Sequence, residues 1–294
     1  WALYPLVFAL TLFNYTLRFF KWHYYLGQLG IRNFPLRESA RLFVAGFPLA
    51  VTPGKVGEVL KAVWLSQKCQ VSVARGVAVV VAERISDGMA VLALSTLGVI
   101  AYPQYWPAFA TVLVILLAVI VVSQIRPLAL ALLDLGERLP LVRRIVHPLR
   151  DFYEGSFALF RPRATLIAVA LGTVSWLGEG IGFYLILLGL GIPPGWQPLS
   201  IAVFVLAFST VIGAVSTLPG GLGAAEASIA GMLVLLLGLE NDVAAAATLL
   251  IRFATLWFGV SLGLAVWAIS PGLLQPSGGQ TDNPPRESGQ DAAS

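Results

Sequence analysis

Charge is what this sequence has least of. Asp, Glu, Lys and Arg make up 12% of its 294 residues, against about 25% in an ordinary soluble domain. So few charges exclude a water-soluble globule, whose surface has to be polar. Cysteine is nearly missing: the single Cys69 excludes a disulfide framework and a Cys-based metal site. The only histidines, His23 and His147, lie too far apart in sequence to suggest a metal cluster. No Ser-His pair or intramembrane aspartyl pair stands out, so no catalytic residue, metal ligand or cofactor is assigned. Gly54-Lys55 does not belong to a GxxxxGK phosphate loop, which argues against direct use of a nucleotide. An initiator Met and a signal peptide are missing too, and the numbering is read as starting inside a longer protein.

What is present is apolar. AVILMFWYC residues make up 57% of the chain, and the mean hydropathy is +0.82. This is the composition of an all-α, polytopic membrane protein. The net charge is +4, with the cations gathered in two regions, residues 30–38 and 126–163. The positive-inside rule accounts for that better than nucleic-acid binding, and it places both regions in the cytoplasm.

One pattern occurs twice. Pro53, Gly54, Gly57 and Glu58 interrupt the first half of the chain, and Pro219, Gly220, Gly223 and Glu226 interrupt the second. An arginine follows each glutamate at the same interval, Arg84 and Arg252 (84 − 58 and 252 − 226, both 26). Pro and Gly break helices, and broken backbone is tolerated at membrane depth only where protein or water covers it. Paired broken helices in corresponding places point to a transporter built from internal repeats.

In chain order, residues 3–20 form a span containing Asn14 and Arg18. It ends near Leu26 in a cluster of Lys21, Trp22, His23, Tyr24 and Tyr25, read as interface anchors. Residues 39–51 are too short to cross about 30 Å of hydrocarbon, and with the piece after Pro53 they form a re-entrant hairpin between basic flanks. Residues 73–102 and 107–123 are spans. The apolar residues of 126–163 recur every three or four positions. They suggest an amphipathic helix on the inner leaflet or, equally, one packed on the protein's own inner face. Residues 164–190 form a span holding Glu179. Residues 200–217 and 221–239 flank the second break between non-basic loops, as a re-entrant hairpin or a pair of tilted full spans, and 243–269 is the last span. From residue 270 to 294 the composition is that of disorder. Superposing Leu29-Gly30-Ile31 on Leu190-Gly191-Ile192 puts Arg18 opposite Glu179. The transmembrane unit, 1–269, then divides into repeat one (about 2–101), a connecting span and basic loop (102–163), and repeat two (about 164–269), with opposite orientations.

PGKVGEVLKAVWL, the ERISDG block at Glu83 to Gly88, and LPGGLGAAEA resemble the transmembrane, flippase-like region of the lysyl-phosphatidylglycerol synthases and its stand-alone relatives. The resemblance covers the chain to about Ser270 and reads it as a member without the aminoacyl-transferase domain. It implies movement of a polar-headed lipid, most simply a phospholipid, between the leaflets of the cytoplasmic (inner) membrane rather than its synthesis. A membrane-embedded lipid-modifying transferase, or a non-transporting partner of a lipid synthase, is the alternative. The partners are the bilayer and its lipid, not nucleic acid; a homo-oligomer or a separately encoded synthase stays open, as do the lipid's identity and the energy source.

The substrate-binding candidates are Glu58, Arg84, Glu226, Arg252, Lys55, Asp87, Gly54, Gly57, Gly220 and Gly223. Ionised residues in lipid are costly and therefore face the protein interior and pair. Arginine suits a phosphate, and a glutamate suits a cationic group or the arginine of an empty site. The plain alternative is that the two Glu–Arg pairs lock the fold. Glu83 and Asp87 share a helix face and repel unless a cation, Lys55 or Lys61 or a substrate amine, separates them. Glu83 reads as the more solvated of the two. The glycines allow close backbone approach and positive φ, and the helix starts after the breaks offer free N–H groups to an anion. Arg18 and Glu179 either pair with each other or line the path, and no aromatic residue is assigned a ligand role.

Overall fold

The computed structural model describes residues 1–101, 106–137, 143–270 and 272, and within them the chain is helical without a strand. Arg138 of the basic loop and almost all of the tail read as disordered lie outside the described residues.

The first half opens with α1 (Tyr4–Gln28), started by a proline in its first turn. Next come α2 (Leu36–Ala45), tight 3-10 turns at Phe47–Val51 and Pro53–Glu58, and α3 (Val59–Cys69). With 10 and 11 residues, α2 and α3 are each about 15 Å long, half of the hydrocarbon core. Pro48 breaks this hairpin a second time, just before the break at Pro53, and so keeps α2 short. α4 (Val73–Ala101), α5 (Trp106–Gln124), α6 (Arg126–Glu137) and α7 (Arg143–Leu159) complete this part.

The second half begins with α8 (Pro162–Gly189). α9 (Trp196–Val215) runs 20 residues without interruption, about 30 Å. Its break comes only at Pro219–Gly221, after which α10 (Ala224–Leu237) begins. The first limb of the second hairpin thus has the length of a full span, one of the two readings left open by the sequence. α11 (Asn241–Arg252) and α12 (Phe258–Ile269) are joined by a π-helical turn at Phe253–Trp257. Pro162–Gly189, Trp196–Val215, Pro219–Leu237 and Asn241–Ile269 are each long and apolar enough to cross a bilayer. α1 and α4 have 25 and 29 residues but carry charges in mid-helix. This is a multi-pass membrane protein.

The core is apolar, as in a soluble domain, but it also holds charges, and large apolar side chains cover the outside. Lys21 and Glu83 are fully buried, and Glu58, Lys61, Asp87 and Glu179 are nearly so, while Val114, Val121, Leu166, Leu235 and Leu249 point outward. Outward-facing Leu and Val need no water when the solvent is lipid. Trp22 and Tyr25, read from the sequence as interface anchors, are core residues, because α1 continues past them and buries them against α2 and α4. α7 packs on α4, with Val146 and Leu159 buried and Arg75 Nη2 3.0 Å from Glu154 Oε2. Of the two readings of the basic segment, this helix takes the one packed on the protein itself.

α1 lies along α8, the most extensive helix pairing among the described residues. Gly178 and Gly182 allow it: a side chain on Gly178 would meet the ring of Phe13 at 3.2 Å, and one on Gly182 would meet Val7 at 3.5 Å. Two small residues four apart are a common way for membrane helices to approach closely. Gly180, on another face of α8, lies as close to Val203 of α9. Three glycines therefore fix the height and rotation of α8 around Glu179.

Candidate functional site

The two Pro-Gly breaks meet. The Pro53–Glu58 turn packs against the Pro219–Gly221 turn, and a cavity of about 370 Å³ lies against them. Among its walls are Tyr15 and Arg18 of α1, Glu58 and Lys61, Arg84 and Asp87 of α4, Trp176 and Glu179 of α8, and Gly220, Gly221 and Arg252; apolar residues such as Phe47, Val91, Leu116 and Leu206 fill the rest. Arg18, Arg84, Asp87 and Glu179 each sit near the middle of a helix that is 25 to 29 residues long.

The charge network is built on α4. Glu83, Arg84 and Asp87 each reach a different element. Lys61 Nζ donates to Glu83 Oε2 at 2.8 Å, tying α3 to α4. Lys21 Nζ donates to Asp87 Oδ1 at 2.5 Å, and Arg18 Nη2 lies 3.5 Å from Asp87 Oδ2, tying α1 to α4. Arg84 Nε is 3.3 Å from Glu58 Oε2. The like charges at Glu83 and Asp87 are thus separated by a lysine each, not by one shared cation. Glu83 is fully buried rather than solvated, because Lys61 follows it inward and rests over the Trp22 ring, 4.3 Å from its centroid.

The two Glu–Arg pairs share a spacing but not a geometry. Glu226 is fully engaged: Oε2 accepts the Gly223 N–H at 2.6 Å, capping the start of α10, and Oε1 accepts from Arg252 Nε at 2.5 Å. Arg252 Nη2 also donates to the Gly220 carbonyl at 2.8 Å, so one side chain ties α11, α10 and the second break together. Gly220 and Gly223 take φ of 62° and 84°, left-handed values that a β-carbon disfavours. Arg84 has no such anchoring. Its contact with Glu58 is an ion pair without hydrogen-bond alignment of Nε, and 32% of its side chain stays accessible on the cavity wall.

Of the candidates read from sequence, Glu58, Arg84, Asp87, Gly220 and Arg252 line the central cavity. Glu226 and Gly223 do not. They stand behind Arg252 on a second, largely apolar recess bounded by Tyr4, Leu249, Phe253 and Trp257, because the α10 cap turns the carboxylate away. Gly57 is also off the wall. Its N–H donates to Thr52 Oγ1 at 2.8 Å, and a β-carbon there would strike the Thr52 side chain. Gly54 belongs to the Pro53–Glu58 turn, and the Lys55 side chain lies outside the described residues. Arg18 pairs with Asp87 and not with Glu179.

Three participants were not singled out from sequence. Lys21 was grouped with the end of α1, but the helix runs on to Gln28. Its place three residues after Arg18, on the same face, was the available signal. Trp176 donates Nε1–H to Asp87 Oδ1 at 3.3 Å and lies 5.8 Å beneath the Arg18 guanidinium. Tyr15 donates its hydroxyl to the Thr255 carbonyl within the π-helical turn. Among the described residues, no group of three or more His, Cys, Asp and Glu is arranged to hold a metal ion.

Comparisons with known proteins agree that this is a membrane protein. Two relatives from Methanothermobacter thermautotrophicus, each described as a UPF0104 membrane protein, are similar to the chain. One is 31% identical over 111 residues, covering 38% of this chain and 31% of the relative. The other is 27% identical over 235 residues, covering 71% of this chain and 67% of the relative. No solved structure matches. A family profile described as the lysylphosphatidylglycerol synthase TM region matches residues 1–263, and the chain belongs to that family.

Proposed function

We propose that this chain moves a polar-headed lipid, a phospholipid or a close relative, between the leaflets of a cytoplasmic membrane. The observation that supports it best is the cavity itself, with arginines and carboxylates on one part of an otherwise apolar wall, at the middle of the membrane-spanning helices. A charged headgroup crossing bare hydrocarbon costs several kcal/mol at least. A cavity that presents ionic partners on one side and apolar surface on the other removes much of that barrier and leaves the acyl chains in lipid.

In this reading the Arg84 guanidinium receives the phosphate, and Glu58 is its partner when the site is empty. Arg252 and Glu226 hold the second break in shape. The two halves act as inverted repeats around the cavity, each with a hairpin whose break meets the other at the centre. The chain works on the bilayer and its lipids and runs no reaction of its own.

The test is leaflet exchange of labelled lipids in proteoliposomes containing the purified full chain, over anionic, zwitterionic and neutral headgroups. Protein-dependent exchange of at least one phosphate-bearing class is expected, and Arg84→Gln should abolish it. Exchange no faster than in protein-free vesicles for every headgroup would overturn the reading.

A further inference from the structure

We propose that Glu179 is a proton site coupled to the anion held in the central cavity, so that a proton and a lipid phosphate are taken up together. This rests on the headgroup reading above and extends it to the coupling ion.

The geometry is that of a charge left over. The other four carboxylates of the network, Glu58, Glu83, Asp87 and Glu226, each have a cation within 3.3 Å. Glu179 is 5% exposed and faces the cavity, yet no cation among the described residues lies within ion-pairing distance of it. The groups facing it are Tyr15 and Arg18 from α1, Asp87 from α4 and Arg252 from the end of α11. Arg18 and Arg252 act on it from a distance because each is held by another acid, and Asp87 repels it. Glycine contacts on both sides of Glu179 keep α8 from turning the carboxylate toward either arginine.

An ionised carboxylate in such a place needs a counter-charge, and a proton is the cation that reaches it with least disturbance. Among the described side chains the network holds five basic groups (Arg18, Lys21 and Lys61 with Arg84 and Arg252) and five acidic ones. With Glu179 ionised these balance. With Glu179 protonated the site carries one excess positive charge, which a phosphodiester monoanion cancels. Proton and phosphate therefore favour each other's binding, and the coupling is reciprocal.

The test uses the purified full chain in phosphatidylcholine nanodiscs, titrated with short-chain phosphatidylglycerol over a pH series in weak buffer with an indicator dye. Affinity should weaken by up to about tenfold per pH unit where the carboxyl titrates, and a proton should be taken up with each lipid there. Short-chain phosphatidylcholine should show neither effect. Glu179→Gln, which keeps the shape of the protonated side chain, should bind phosphatidylglycerol without pH dependence and without proton uptake. The infrared spectrum of the lipid-free wild type at low pH should contain a protonated-carboxyl band that Glu179→Gln removes; its absence counts against the proposal independently of binding. Affinity that is flat with pH, without proton uptake, overturns the proton site and leaves the headgroup reading standing. A slope that survives in Glu179→Gln assigns the proton elsewhere and overturns it as well. Failure to bind phosphatidylglycerol at any pH overturns this inference, while the headgroup reading stands or falls by leaflet exchange over the other headgroups.

Discussion

Two arginines at the same distance from their glutamates do different work, and substitutions should separate them. Arg84 touches Glu58 loosely and faces the cavity, so Arg84→Gln should abolish lipid exchange while lowering stability less than Arg252→Gln does. Arg252 holds Glu226 and the Gly220 carbonyl at once. Arg252→Gln leaves a glutamate and a break without their partner and should lower stability by about 3 kcal/mol or more. Thermal unfolding of both variants in the same detergent reads the difference, and equal losses would show that the two pairs are equivalent. Lys61 provides a sharper case. Its removal strands Glu83, which has no exposure at all, so Lys61→Met should cost about 3–5 kcal/mol. Adding Glu83→Gln should recover most of that loss, and a double-mutant cycle measures how much.

Helices here are placed by what they lack as much as by what they carry. A side chain on Gly180 would put its β-carbon 2.8 Å from Val203, whereas one on Gly189, at the end of the same helix, meets nothing within 4 Å. Gly180→Ala should therefore destabilise by about 1–3 kcal/mol through overpacking. Gly189→Ala should be neutral, or stabilising by about 0.5–1 kcal/mol, and thermal unfolding of the pair checks both. The same contrast explains how far the elements were legible in the sequence. The helix ends, the two Pro-Gly breaks and the part played by α4 follow from hydropathy, helix breakers and the cost of charge in lipid, all of which act locally. That Pro48 would shorten α2 and that Lys21 would turn inward depend on which neighbour each helix meets. The π-helical turn after Arg252 had no signal in the sequence. It is paired from a distance, by the Tyr15 hydroxyl on the Thr255 carbonyl.

At the scale of the whole molecule the open quantity is orientation. The two halves repeat the order helix, broken hairpin, helix, and their breaks meet at one cavity. If the halves are inverted, as the loop charges imply, the basic segment before α8 and the uncharged segment after it lie on opposite sides of the membrane. α8 has 28 residues and is about 42 Å long, enough to carry its ends past both headgroup layers. Arg161 caps its start and Gln197 follows its end, and both side chains are exposed. In a Cys69→Ser background, single cysteines at these two positions should react with an impermeant thiol reagent from opposite faces: Gln197→Cys in intact cells, Arg161→Cys only after the membrane is opened. Labelling of both from one side would mean that α8 does not cross. The parity of every later helix would then change, and with it the inverted repeat on which the meeting of the two breaks at mid-membrane depends.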